Sequence, residues 1–178
     1  MKFEIRDKNC KEEVVNLFLS VFSSSEGEEE GSLISNLTSS LSSATDNQEI
    51  ICIGAFENAS VIGAIFFTRL QFNADIKIYM LTPVAVSTSH QGQGVGQALI
   101  NYGLKELKKR SVSVAITYGD PSFYSKVGFQ PLSENSIRAP LKLSIPEGWL
   151  GQSLNVNSIP TLNERPTCVK AFNDPALW

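Results

Sequence analysis

The chain has 178 residues, 42% of them apolar and 19% charged, with a net charge of −3. That length and balance suit one globular domain burying about two-thirds of its surface. A mild acidic excess argues against binding nucleic acid by phosphate neutralisation, and the absence of a run of 18 apolar residues argues against a membrane span. Met1 to Glu13 has no apolar signal core, which points to a cytoplasmic protein. Cys10, Cys52 and Cys168 are odd in number and form no C-x-x-C pair, so neither a metal knuckle nor a disulfide framework is expected.

Lys2 to Arg6 alternates as a strand, with Phe3 and Ile5 on one face. Asn9-Cys10-Lys11-Glu12 offers a capping-box-like start, and Val14, Leu17, Phe18 and Val21 then form one buried helical stripe. The pattern predicts that this helix ends at Ser23 to Ser25 and that Glu26 to Gly31 is an acidic loop. That loop reads as a solvated linker ahead of a second helix marked by Ile34, Leu37 and Leu41. Ile50 to Phe56 is a continuous apolar run fitting a strand buried on both faces, with Cys52 as a small core residue. Glu57 to Ser60 turns the chain into a returning strand, Val61 to Phe72. A third strand, Ile76 to Val86, is interrupted by Pro83, which cannot donate a ladder hydrogen bond and so marks a bulge or splay.

After the apolar stretch Val84-Ala85-Val86 comes a polar loop with His90, a residue expected to face solvent. Gln91-Gly92-Gln93-Gly94-Val95-Gly96 closes the loop and opens an amphipathic helix. Glycines in such a turn let successive N–H groups curl around an anion, and the helix start adds unpaired N–H groups and the positive end of its dipole. The combination is a phosphate or pyrophosphate site. No Lys-Ser or Lys-Thr follows, so it is not a Walker A loop. G-x-G-x-x-G fails in both registers, at Gln97 and at Leu99. The helix buries Val95, Leu99, Ile100, Leu104 and Leu107 and exposes Gln97, Asn101, Lys105 and Lys108. Val112 to Tyr118 is a strand parallel to its predecessor, because a helix makes the crossover. Gly119-Asp120-Pro121 then turns into a short helix that Asp120 caps and Gly128 ends. Beyond Gln130 the pattern weakens, with a last strand within Gly148 to Leu154. Residues 155–178 read as an irregular tail anchored by Phe172, Leu177 and Trp178.

What the glycine pattern does fit is Q/R-x-x-G-x-G, through Gln91, Gly94 and Gly96. Downstream stands Gly119-Asp120-Pro121-Ser122-Phe123-Tyr124-Ser125-Lys126-Val127-Gly128-Phe129, similar to a GDPxYYxRFGF segment. With both in this order, the chain resembles the GNAT superfamily of acyl-CoA-dependent N-acyltransferases, in particular its YhbS-like branch, over roughly residues 50–129. The resemblance implies one mixed, mostly antiparallel α/β sheet of six or seven strands with a splayed parallel pair, flanked by about four helices. It implies acetyl-CoA as co-substrate, held by Gln91, Gly92, Gln93, Gly94, Val95 and Gly96 and threaded along Val84, Ala85 and Val86, where a backbone N–H would serve the thioester oxygen. It implies Tyr124 as the donor to the departing sulfur, for which a phenol pKa of about 10 lies only ~1.5 units above a thiol's. An alternative for Tyr124 is aromatic packing of the short helix. The expected acceptor is a small-molecule or peptide amine, a homodimer is compatible with this reading, and no metal is called for. The general base stays open among Asp75, Tyr79, Glu134 and the acidic loop. The resemblance also gives the acidic loop a second reading, bordering the acceptor cleft, and leaves Asp120 facing the acceptor as the alternative to its capping role. The rival function is a non-catalytic acyl-CoA-binding module of the same fold.

Overall fold

In a computed structural model of the protein, residues 1–6, 11–46, 48–155 and 158–178 are described. Asn9 and Cys10 of the expected helix cap lie outside them. The elements are β1 (Lys2–Arg6), α1 (Lys11–Glu26), α2 (Glu28–Ser43), β2 (Ile50–Glu57), β3 (Ser60–Leu70), β4 (Ile78–Val86), α3 (Val95–Lys109), β5 (Val114–Tyr118), α4 (Pro121–Tyr124), β6 (Gln130–Pro131) and β7 (Trp149–Ser153). The strands make one mixed sheet in the order β1-β2-β3-β4-β5-β7-β6. This is the expected mixed α/β class. No helix among the described residues is long and apolar enough to cross a membrane. By contact pattern the chain divides into two compact units, Met1–Phe67 with Pro83–Gly103, and Thr68–Thr82 with Leu104–Trp178.

In the first unit, β1 pairs antiparallel with β2, Lys2 opposite Phe56 and Arg6 opposite Cys52. β2 and β3 are joined by a tight turn in which Asn58 and Ala59 both take positive φ, 49° and 66°. That handedness matches the twist of the strands it joins. α1 buries Val14, Leu17, Phe18 and Val21, the stripe the spacing predicts, and Phe18 reaches Phe66 of β3 with ring centroids 5.9 Å apart.

The acidic loop is not a loop. α1 continues to Glu26, Gly27 alone breaks it, and Glu28, Glu29 and Glu30 form the first turn of α2. There the carboxylates meet the positive end of the helix dipole. Gly31 follows because α2 lies tight on α1: a Cβ at this position would overlap the Ser23 side chain.

In the second unit, the start of β4 runs parallel to β5, with Ile78 opposite Val114 through Leu81 opposite Thr117. The paired register ends two residues before Pro83, as an interior proline predicts. β5 pairs antiparallel with β7, and β7 with the two-residue β6, a strand too short to leave a periodic signal. Residues 137–145 are irregular, with bends and no strand. The tail is irregular but fastened. Gln71 and Thr167 form an antiparallel bridge, and Glu164 Oε1 accepts from the N–H groups of Asn73 (2.9 Å) and Ala74 (3.1 Å). Phe172 and Trp178 are buried, and Trp178 Nε1 donates to the Phe172 carbonyl at 2.8 Å. Leu177, the third expected anchor, is half-buried.

Candidate active site

The residues expected to hold the acyl carrier form one continuous strand, turn and helix in the first unit. Ala85 is buried at the end of β4, while Val84 and Val86 are half-buried on either side of it. Ser87 N–H donates to the Ile62 carbonyl at 2.8 Å, tying the end of this strand to β3. Gly92 and Gly94 take φ of 73° and 79°, whereas Gly96 is helical. A Cβ built on Gly92 or Gly94 would meet no protein atom within 4 Å. The glycines therefore answer to backbone handedness and to open space in front of the loop, not to crowding by the protein. Val95 is buried and starts α3, whose first turn leaves N–H groups with no partner inside the helix.

The two glutamines turn inward. Gln91 Nε2 donates to the Val86 carbonyl (3.0 Å) and Gln93 Nε2 to the Ser89 carbonyl (2.9 Å). Their side chains brace the loop, which leaves ligand contact to the main chain. His90 does not simply face solvent. Its Nδ1 lies 2.7 Å from Ser87 Oγ and 2.9 Å from Ser89 Oγ, and its Nε2 lies 3.3 Å from Glu57 Oε2. The imidazole thus pins the turn to the end of β2. Phosphate fits this cradle by donor set: a 15-residue helix start, two open left-handed glycines, and no carboxylate among residues 84–96.

Tyr124 sits in the second unit, on α4. Asp120 caps α4, accepting from Ser122 N–H at 2.8 Å and Ser122 Oγ at 2.7 Å. These bonds, with the nearby Lys126 charge, hold its carboxyl below the usual range. Gly128 ends the segment at φ 92°, and Phe129 returns to the core. The Tyr124 ring lies between Phe123 and Phe129, with centroids 5.0 and 5.8 Å away, both edge-on. Burial pushes its phenol above the ordinary tyrosine value, and the Asp120 charge adds to the rise. The neighbouring Thr117 side chain works against that rise. Thr117 Oγ1 itself donates to the Leu81 carbonyl at 2.7 Å.

Thr117 was not anticipated. Its signal is one hydroxyl in the apolar strand Val-Ala-Ile-Thr-Tyr, fully buried and donating across to β4. Among the open candidates for the base, Tyr79 is buried with the Arg69 guanidinium 5.6 Å over its ring. Glu134 accepts from Ala139 N–H at 3.2 Å, and Asp75 is exposed in the turn before β4. Packing and turn geometry account for the first two. Cys52 is buried in β2 as expected, and the described residues hold no cluster of His, Cys, Asp and Glu suited to a metal.

Comparisons with known proteins bear on the family and the fold. The family model described as acetyltransferase (GNAT) domain matches residues 6–132. The uncharacterized N-acetyltransferase YjhQ of Escherichia coli K12 is 28% identical over 182 residues, covering 98% of this chain and 96% of YjhQ. The fold is shared with a crystal structure of the GNAT family N-acetyltransferase YhbS from Escherichia coli in complex with CoA, at a TM-score of 0.77, 19% identity, and coverage of 97% of this chain and 92% of that one. A GNAT family acetyltransferase from Brucella melitensis in complex with acetyl-CoA superposes at a TM-score of 0.68, 21% identical, covering 97% and 99% of the two chains.

Proposed function

The chain belongs to the GNAT acetyltransferase family, and from that membership we propose that it moves an acetyl group from acetyl-CoA to a primary amine by direct attack in a ternary complex. The observation that carries this reading is the strand–turn–helix of Val84 to Gly96, whose two left-handed glycines face open space. The fold's CoA-bound neighbours make an acyl-CoA pyrophosphate the anion that suits it. Acetyl-CoA supplies an activated acyl group as a thioester. The main-chain N–H groups of Gly92 to Gly96 hold its phosphates, and an N–H near Val84 to Val86 serves the carbonyl oxygen as charge builds there.

The acceptor arrives as an ammonium with a pKa near 10 and loses one proton before attack. Its lone pair then forms the C–N bond as the C–S bond breaks. Sulfur leaves with the electron pair and takes up one proton, with Tyr124 as donor, and the proton that the nitrogen sheds after attack replaces the one the tyrosine gave. The balance is an amide, a free thiol and one proton released. No single side chain is required as base, since water can carry the first proton out.

A second reading has one observation in its favour. Tyr124 is 8% exposed and its ring lies between Phe123 and Phe129, as in a packing residue, and a non-catalytic acyl-CoA-binding module would keep the loop without turnover. Incubation with acetyl-CoA and a panel of amines, following free thiol and acetylated product by mass, separates the two. Amine-dependent thiol release is expected. CoA binding by calorimetry with no thiol from any amine would leave only the binding module.

A further inference from the structure

One cavity in the second unit has the chemistry to select an acceptor. It measures about 440 Å³ and lies where β5 ends, with Tyr118, Gly119, Asp120, Ile145, Glu147 and Trp178 among its walls. That volume is in the range of small-molecule pockets, and the end of a parallel strand is where α/β sheets place ligands. Its frame is rigid. The Tyr118 hydroxyl lies 3.0 Å from Ser144 Oγ and accepts from Ile145 N–H at 2.9 Å. Gly119 N–H donates to the Gly148 carbonyl at 3.0 Å. The Trp178 ring stacks on Tyr118, centroids 6.1 Å apart and planes 18° from parallel. A Cβ on Gly148 would come within 3.2 Å of the Tyr118 ring, so glycine there keeps that ring in place. On its other side Gly119 backs directly onto the Tyr124 ring.

The walls are apolar and aromatic, from Tyr118, Pro121, Ile145, Leu177 and Trp178, and the charged side chains are Asp120 and Glu147 alone. No lysine or arginine lines the cavity. Ile145 is 61% exposed at this site, a large aliphatic side chain with little cover from the protein. Such a surface attracts a cation that has an apolar body. It offers nothing to pair with a ligand carboxylate and few donors or acceptors for a polyol.

Resting on the acyltransferase reading above, we propose that this pocket seats the amine acceptor and that the acceptor is a protonated arylalkylamine. The ring packs against Tyr118 and Ile145, and Asp120 and Glu147 draw the ammonium in. Amino acids are disfavoured because their carboxylate meets two like charges and no cation. Amino sugars are disfavoured because apolar walls leave their hydroxyls unpaired.

The test uses 2-phenylethylamine, phenylalanine and glucosamine with the full chain and saturating acetyl-CoA, following thiol release, with amine binding measured separately by calorimetry. The KM for 2-phenylethylamine should lie at least about tenfold below those of the other two. Glu147→Gln should raise it roughly fivefold at low ionic strength, and added salt should shrink that difference. Ile145→Ser should also raise it, without the salt dependence. If 2-phenylethylamine binds but no thiol appears, the pocket stands and the acyl-transfer reading falls. If phenylalanine or glucosamine is acetylated as well as or better than 2-phenylethylamine, acyl transfer stands and the pocket assignment is overturned. Failure of 2-phenylethylamine to bind at all overturns it too.

Discussion

Two glycine-bearing segments, Gln91 to Gly96 and Gly119 to Gly128, look alike on paper and are opposites in space. At Gly92 and Gly94 the place of the missing Cβ is empty, with no protein atom within 4 Å. At Gly119 it is taken by Tyr124 Cε2, 2.7 Å away, and at Gly128 by the Gln152 amide, 3.0 Å away. The first pair leaves room for something that is not protein, and the second lets the protein close on itself. In the first segment the proposal gives the work to main-chain N–H groups, with Gln91 and Gln93 as braces. In the second the proposal gives it to one side chain, Tyr124, packed between two phenylalanines. A glycine's role is therefore read from what occupies its vacant position.

The contrast is broken most severely at Gly94. Gly94→Val puts a branched side chain where the phosphates are expected, and CoA binding by calorimetry should fall beyond detection. Only backbone strain, about 1–2 kcal/mol, should be felt by the fold, so an unfolding curve with one cooperative transition should persist. Undiminished CoA affinity in the folded variant would refute the cradle.

Tyr124→Phe comes next. It keeps the ring between Phe123 and Phe129 and removes the hydroxyl, so kcat should drop by about 10² to 10⁴ with acetyl-CoA affinity little changed. Stability offers a second readout with a definite sign. Burial raises the phenol's pKa in the folded state. Its contribution is therefore complete below the unfolded value of about 10 and is lost as pH rises through the folded one. The wild type should weaken at strongly alkaline pH more than the variant does. Normal turnover in the variant would reduce Tyr124 to packing.

The smallest effect is expected at Gly119→Ala. The added methyl must displace the Tyr124 ring, an overpacking cost of about 1–3 kcal/mol, seen as a melting temperature lower by several degrees. An unchanged melting temperature would mean that the segment is looser than its contacts imply.

Most of what positions the loop was legible because it is periodic. The α1 stripe, the doubly buried β2 and the five apolar positions of α3 follow from spacing alone, and all are buried. Pro83 announced the end of pairing because a residue without an N–H cannot continue a ladder. The acidic stretch misled because Glu and Gly together read as a break. Only Gly27 breaks the helix, and Gly31 serves a helix contact that no local pattern reveals. β6 and the cavity were invisible for a related reason. Gln130 and Pro131 are strand only because β7 lies beside them, and the cavity joins residues from 118 to 178. Tyr124 could be found by its segment, but its burial and its packing on Phe129 are tertiary facts.

The fastening of the tail bears on how this protein folds. The Gln71–Thr167 bridge, made by N–H···O bonds of 2.9 and 3.0 Å, and the grip of Glu164 on Asn73 and Ala74 close loops of some ninety residues. Closing a loop that long carries its entropy cost before the contacts form, so such pairings tend to be late events on a folding path. Trp178, stacked on Tyr118, comes from the same tail, so that wall of the cavity would be completed only after the strands behind it. The amide protons of Gln71 and Thr167 would then gain exchange protection in the slowest refolding phase, after those of β5 and β7.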